Sequence, residues 1–297
     1  MSVPMLTGCS TALVTPFHPN GTIDEVALAA LVDWQIAEGI HGLVPCGSTG
    51  EAATMSLEER LLVVSITVER TAGRVPVIAG AGGNDTAVAI ATGKAMSATG
   101  ATHLLHVSPA YSKPPQRGIL AHYRAVADAS PLPIVVYNVP GRTASNVEAE
   151  TTLALAEHPN IVAVKEASGN LAQISEIIRH APQGFSVLSG DDGLTIGVMA
   201  AGGHGLVSVV SNAVPRAMSL LCTAMADGQM EVARGLHNKL TSLMSTAFCE
   251  SNPIPIKAAL AMMGRMENKL RLPLVSLDGK YDAKLRASLI EAGALAS

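Results

Sequence analysis

Asn160-Ile161-Val162-Ala163-Val164-Lys165-Glu166 carries four consecutive apolar residues before it reaches a charge. A strand with one wet face alternates apolar and polar residues, whereas a strand covered on both faces is apolar throughout. The run therefore predicts a strand over Ile161–Lys165, buried on both faces and ending on a lone ammonium. Burial strips away the hydration that favours the charged form, so the amine of such a lysine becomes available as a nucleophile. Its attack on a ketone gives a Schiff base. The competing reading is a lysine that merely extends its head past the strand end into water. The rest of the chain decides between them.

Short β-branched runs alternate with stretches of helical period along most of the 297 residues. The predicted strands are Thr11–Val14, Gly42–Pro45, Val75–Ala79, His103–Val107, Ile134–Tyr137, Ile161–Lys165, Ser186–Leu188 and Gly205–Val209. Helical patterns lie between them, at Asp24–Glu38, Leu57–Ala72, Thr86–Ala98 and Gly118–Ala129. Ser56-Leu57-Glu58-Glu59 is a capping box, and Gly39, Gly73 and Gly100 stand where helices should stop. The strand ends Thr15, Ser48, Gly80, Ser108, Tyr137, Lys165, Gly190 and Ser208 are 33, 32, 28, 29, 28, 25 and 18 residues apart. That is the beat of successive βα units, and eight of them fit an α/β fold of the closed (β/α)8 TIM-barrel type. Only helical patterns follow Ser211. The expected organisation is one domain over 1–297, with a barrel over about 8–226 and a C-terminal helical extension over about 227–297. An open dinucleotide-binding sheet would show GxGxxG after its first strand. His18-Pro19-Asn20-Gly21 stands there instead, and Gly80-Ala81-Gly82-Gly83-Asn84 lacks both that pattern and a phosphate-loop lysine.

Hydrophobic residues make up 48% of the chain and charged residues 15%, a balance that supports a large packed core. A net charge of −4 offers no footprint for nucleic acid. No apolar stretch is long and charge-free enough to cross a bilayer, and the N-terminus lacks the pattern of a secretory signal. The nine histidines are scattered, and Cys9, Cys46, Cys222 and Cys249 lie far apart, so no metal site is expected. Reduced thiols in a cytoplasmic protein are the simpler reading of the four cysteines.

Barrel enzymes build their sites at the C-terminal strand ends. The polar residues there are candidates for one pocket. Gly47-Ser48-Thr49-Gly50-Glu51 makes a tight turn whose N–H groups can converge on a carboxylate. Two of only four tyrosines, Tyr111 and Tyr137, fall at strand ends. A phenol beside a lysine can move protons, although Tyr137 could also cap the core with its ring. Arg142 suits a second carboxylate through its two-pronged donor fork, against the commoner case of an idle loop arginine. Together these residues describe a site for a small anionic carbonyl compound, with Lys165 attacking the ketone and no metal or cofactor needed.

The same stretches resemble a known family. Gly47-Ser48-Thr49-Gly50-Glu51, Tyr137-Asn138-Val139-Pro140-Gly141-Arg142-Thr143 and Val164-Lys165-Glu166-Ala167-Ser168-Gly169-Asn170 are similar to motifs of the dihydrodipicolinate synthase / N-acetylneuraminate lyase family. So are Asn252-Pro253-Ile254-Pro255-Ile256-Lys257 and Leu270-Arg271-Leu272-Pro273-Leu274, and the resemblance runs from about Gly8 to about Leu277. It implies a class I aldolase barrel with pyruvate as carbonyl partner and Lys165 as the Schiff-base residue. Tyr137 would relay protons through Thr49, and Tyr111 would complete the relay in a neighbouring subunit of a homotetramer built as a pair of dimers. Ser48 and Thr49 would position the pyruvate carboxylate, with the Val207 carbonyl against the substrate. Arg142 points to the synthase branch, where an arginine grips the carboxylate of aspartate semialdehyde on the route to lysine and diaminopimelate. The rivals are a lyase or aldolase of the same superfamily acting on other keto acids, and a non-catalytic keto-acid sensor. Lysine-inhibited synthases carry polar ligands for their regulator where this chain has Ala52, Val88 and Ala110, with Asn84 retained. Weak or absent lysine inhibition is expected.

Overall fold

Eight parallel strands form the wall of the molecule: β1 (Gly8–Ala12), β2 (Gly42–Val44), β3 (Ile78–Gly80), β4 (His103–Val107), β5 (Ile134–Asn138), β6 (Ile161–Glu166), β7 (Ser186–Ser189) and β8 (Gly205–Ser208). The computed structural model describes residues 5–296; residues 1–4 and 297 of the expected domain lie outside them. The strands pair in the order β2-β1-β8-β7-β6-β5-β4-β3. One parallel bridge, between Leu43 of β2 and Val77 just ahead of β3, closes the ring. The predicted barrel is therefore the observed one.

Helices α1 (Glu25–Ala37), α2 (Leu57–Thr71), α3 (Thr86–Ser97), α4 (Gln116–Ala129), α5 (Pro140–Thr143), α6 (Ala149–Ala156), α7 (Leu171–His180), α8 (Thr195–Ala200) and α9 (Pro215–Ala226) follow the strands. Helices α10 (Met230–Thr246), α11 (Ile254–Met262) and α12 (Asp282–Ala292) form the C-terminal extension. Short polar residues satisfy the free N–H groups at several starts. Asp24 accepts from Ala27 N, Asp85 from Val88 N and Asn170 from Gln173 N. Ser56 and Glu59 form the predicted capping box on α2.

The two-residue period of the strands sorts their side chains into two apolar layers. Leu105, Val135, Ala163, Leu188 and Val207 fill the barrel interior. Their neighbours Leu104, Val136, Val164, Val187 and Leu206 pack between sheet and helices. Lys165 is two residues past Ala163, so the same alternation turns it inward at the top of the barrel.

β4 matches its predicted range, five strands differ by one residue at the C-terminal end, and β1 and β3 depart further. β1 begins at Gly8, because its ladder to β8 opens with Gly8 opposite Gly205. β3 begins at Ile78 rather than Val75. Pro76 has no N–H for a ladder, and its carbonyl accepts from Leu43 N instead. Among the described residues no helix is long and apolar enough to cross a membrane.

Candidate active site

Tyr137 and Lys165 stand directly opposite each other on β5 and β6. Both face a cavity of about 330 Å³ at the C-terminal mouth of the barrel. Lys165 is 6% exposed, and its Nζ lies 4.1 Å from the centre of the Tyr137 ring. Among the described residues no carboxylate or hydrogen-bond acceptor holds that nitrogen. Room for it comes from Gly190 after β7, where a Cβ would stand 2.7 Å from Ala167 Cβ and 3.2 Å from Lys165 Cε.

The neighbouring residues on each strand point outward and fasten the pair. Glu166 is buried, and its carboxylate accepts from Asn138 Nδ2 (3.1 and 3.0 Å), Gln173 Nε2 (3.1 Å) and Ser168 N (2.7 Å). One saturated carboxylate thus locks β5, β6 and the start of α7 together, behind the two residues that face the cavity.

The turn after β2 forms the opposite wall. Gly50 N donates to Gly47 O and Glu51 N to Ser48 O, with Glu51 at a left-handed φ of 55°. The N–H groups of Ser48 and Thr49 find no acceptor among the described residues, which leaves both for a carboxylate. Ser48 is exposed and Thr49 buried. Behind the turn, Glu51 Oε1 meets Lys257 Nζ at 2.6 Å and Glu51 Oε2 accepts from Arg271 N at 3.1 Å. Lys257 Nζ also donates to Thr15 O at 2.9 Å. Burial lowers the Lys257 pKa against the opposing pull of Glu51. The C-terminal extension thereby pins the turn from outside the barrel.

Asn252, in the loop before α11, reaches the cavity and donates through Nδ2 to Thr49 Oγ1 at 2.8 Å. Its carbonyl accepts from Arg142 Nη2 at 3.3 Å, which draws the guanidinium over the mouth. Beside β8, fully buried Asp192 accepts from Ser208 Oγ (2.5 Å) and Val209 N (3.1 Å). Burial pushes its pKa up to about 6.

Lys165, Tyr137, Ser48, Thr49 and Arg142 therefore share one cavity. The side chains of Tyr111 and Val207 are not among its lining. Tyr111 is 94% exposed at a φ of 67° and does not line the cavity. The Val207 side chain belongs to the interior layer beneath, while Val209 lines the cavity. Among the described residues no hydrogen bond joins Tyr137 to Thr49. No group of three His, Cys, Asp or Glu side chains among them could hold a metal.

A model of the dihydrodipicolinate synthetase family matches residues 5–292. The chain belongs to that family. It is 51% identical over 291 residues to 4-hydroxy-tetrahydrodipicolinate synthase of Koribacter versatilis, covering 98% of this chain and 97% of that one. The dihydrodipicolinate synthase of Thermotoga maritima superposes with a TM-score of 0.96 at 43% identity, over 98% of this chain and all of that one. The chloride-inhibited enzyme of Acinetobacter baumannii, solved in complex with pyruvate, gives 0.96 at 40% identity, over 97% and 99% of the two chains. Membership of the synthetase family agrees with the resemblance carried by the sequence motifs.

Sequence reasoning missed three parts of this family member's site. Asp192 was visible only as one of two acids at a strand end. Asn252 and Lys257 stood in a recognisable motif, but their partners Thr49 and Glu51 are 203 and 206 residues away. Pairing at that distance leaves no local signal.

Proposed function

We propose that this chain is a 4-hydroxy-tetrahydrodipicolinate synthase that condenses pyruvate with aspartate semialdehyde through an imine on Lys165. The observation that carries the reading is the buried, unpartnered Lys165 amine over the Tyr137 ring, in a cavity with room for small keto acids. Pyruvate's carboxylate takes the free N–H groups of Ser48 and Thr49. Lys165 Nζ attacks the ketone carbon, and the carbonyl oxygen takes two protons and leaves as water. The imine nitrogen draws electrons, so a methyl proton departs and an enamine forms. Its carbon attacks the aldehyde of the second substrate, whose carboxylate pairs with Arg142. The aldehyde oxygen takes a proton and becomes the product hydroxyl. The semialdehyde's own amine then adds to the imine carbon and expels Lys165.

In this reading Tyr137 moves the protons, Thr49 links it to Tyr111, and the Val207 carbonyl borders the substrate. The exposure of Tyr111 supports a Tyr111 supplied by a second copy, within a homotetramer of paired dimers. The whole chain acts as one barrel domain. Four cysteines free of disulfides fit a cytoplasmic setting.

Borohydride reduction with pyruvate, followed by peptide mass mapping, tests the imine; the expected adduct is on Lys165. A coupled assay with aspartate semialdehyde against a panel of keto-sugar acids then tests the partner. Turnover of a sugar acid in place of the semialdehyde would move the chain to another branch of the superfamily. Lysine at micromolar concentration is expected to leave the rate unchanged. Val88 and Ala110 offer an effector ammonium no carboxylate, and Asn84 Oδ1 already accepts from Ala110 N at 2.8 Å.

A further inference from the structure

We infer that Asn252 is a positioning residue that sets the direction in which the Thr49 hydroxyl passes its proton. The inference rests on the proposed role of Thr49 as a relay link. A hydroxyl has one hydrogen to give and two lone pairs to receive with. Asn252 Nδ2 donates to Thr49 Oγ1 at 2.8 Å, so the amide occupies one lone pair and leaves the hydrogen unspent. Thr49 is 4% exposed, and its hydroxyl donates to no acceptor among the described residues. It therefore keeps one hydrogen and one lone pair, which is what a link needs to pass a proton on and take the next. Tyr137 lines the same cavity and is the phenol such a hydrogen would serve.

Two further observations place the amide there for orientation. Asn252 is itself 6% exposed, and its Oδ1 is buried with no hydrogen-bond partner among the described residues. An orphaned buried acceptor carries a desolvation cost. A site that needed only packing would carry an apolar residue. The backbone around Asn252 is held separately, by Arg142 Nη2 on its carbonyl and by the buried Lys257 one turn further on. Changing the side chain leaves those anchors in place.

The decisive variant is Asn252→Asp. A carboxylate only accepts, so it would capture the Thr49 hydrogen and leave the link with nothing to give. The expected result at neutral pH is a fall in kcat of about 10²-fold, the low end of what acid–base help contributes. The pyruvate KM and borohydride trapping on Lys165 should be unchanged. Asn252→Ala, which frees the hydroxyl to rotate, should lose only about 10-fold, the worth of one hydrogen bond. Protonation turns the introduced carboxyl back into a donor, so the ratio of variant to wild-type kcat should rise as pH falls. A role in packing alone would show neither the order of the two variants nor that slope.

The inference is overturned if Asn252→Asp turns over as fast as Asn252→Ala at neutral pH, or if its ratio to wild type is flat with pH. Wild-type kcat in Asn252→Ala overturns it too, whether or not the aspartate variant folds. Thr49→Val separates the two levels of the argument. Undiminished turnover there removes the relay itself, whereas a large loss there beside an unaffected Asn252→Asp removes only the role of Asn252.

Discussion

Two lysines are buried among the described residues, and their surroundings assign them opposite tasks. Lys257 stands 4.4 Å from the Phe17 ring, Lys165 4.1 Å from the Tyr137 ring. Lys257 is sealed from solvent and has a carboxylate and a carbonyl within hydrogen-bond reach. Among the described residues Lys165 has neither, and it opens onto a cavity. A buried ammonium survives when its donors are matched, and then it is a fastener. A buried lysine without such partners has an amine to spend on an incoming carbonyl. What separates fastener from nucleophile is the absence of a carboxylate, and burial alone would not distinguish them.

Removing each lysine breaks the comparison most sharply. Lys165→Ala should abolish the pyruvate adduct and lower turnover beyond the ~10⁴-fold reach of acid–base help, because the covalent route disappears. Mass mapping after borohydride reduction and the coupled assay check both parts. Tyr137→Phe keeps the ring beside Lys165 but removes the hydroxyl; kcat should fall by about 10²- to 10⁴-fold while the adduct still forms. Lys257→Met should cost about 3–5 kcal/mol of stability, since Glu51 is left as an uncompensated buried charge. Denaturant unfolding measures this, and adding Glu51→Gln should recover part of the loss.

The smallest effect concerns Asp192, buried without any cation partner among the described residues. Its folded pKa of about 6 lies above the ordinary carboxyl value. Between roughly pH 4 and 6 the folded chain therefore holds a proton that the unfolded chain has released. The stability this confers is present at the acid end and is lost as pH rises through 6. From pH 5 to pH 7 the wild type should lose about 1 kcal/mol more than Asp192→Asn, as read by unfolding at the two values.

The barrel was legible because its signals are local. An apolar run such as Ile161–Val164 states its burial, and the spacing of strand ends counts the units. Boundaries were less legible where a long-range partner decides them, as Gly205 does for Gly8 and Leu43 for Pro76. The inward residues of the site, Tyr137 and Lys165, follow from strand period. The residues that hold them do not. Glu51 reads as a turn residue until Lys257 arrives from the far end of the chain, and Asn252 reads as a loop residue until it meets Thr49. Tyr111 lies in the loop after β4, and its ring is exposed.

The ring of strands is sewn unevenly. β5 and β6 share five register pairs, whereas one bridge joins Leu43 to Val77 across the seam between β2 and β3. At that seam Gly80 comes so close to the Cys46 carbonyl that a Cβ would collide with its oxygen. The amides least tied into a ladder thus border the turn of Ser48 and Thr49, at the side of the cavity away from Lys165. In deuterated water, exchange should enter the wall at that seam first and reach β6 last. A keto acid settling onto the turn would slow the early phase and leave the late one untouched.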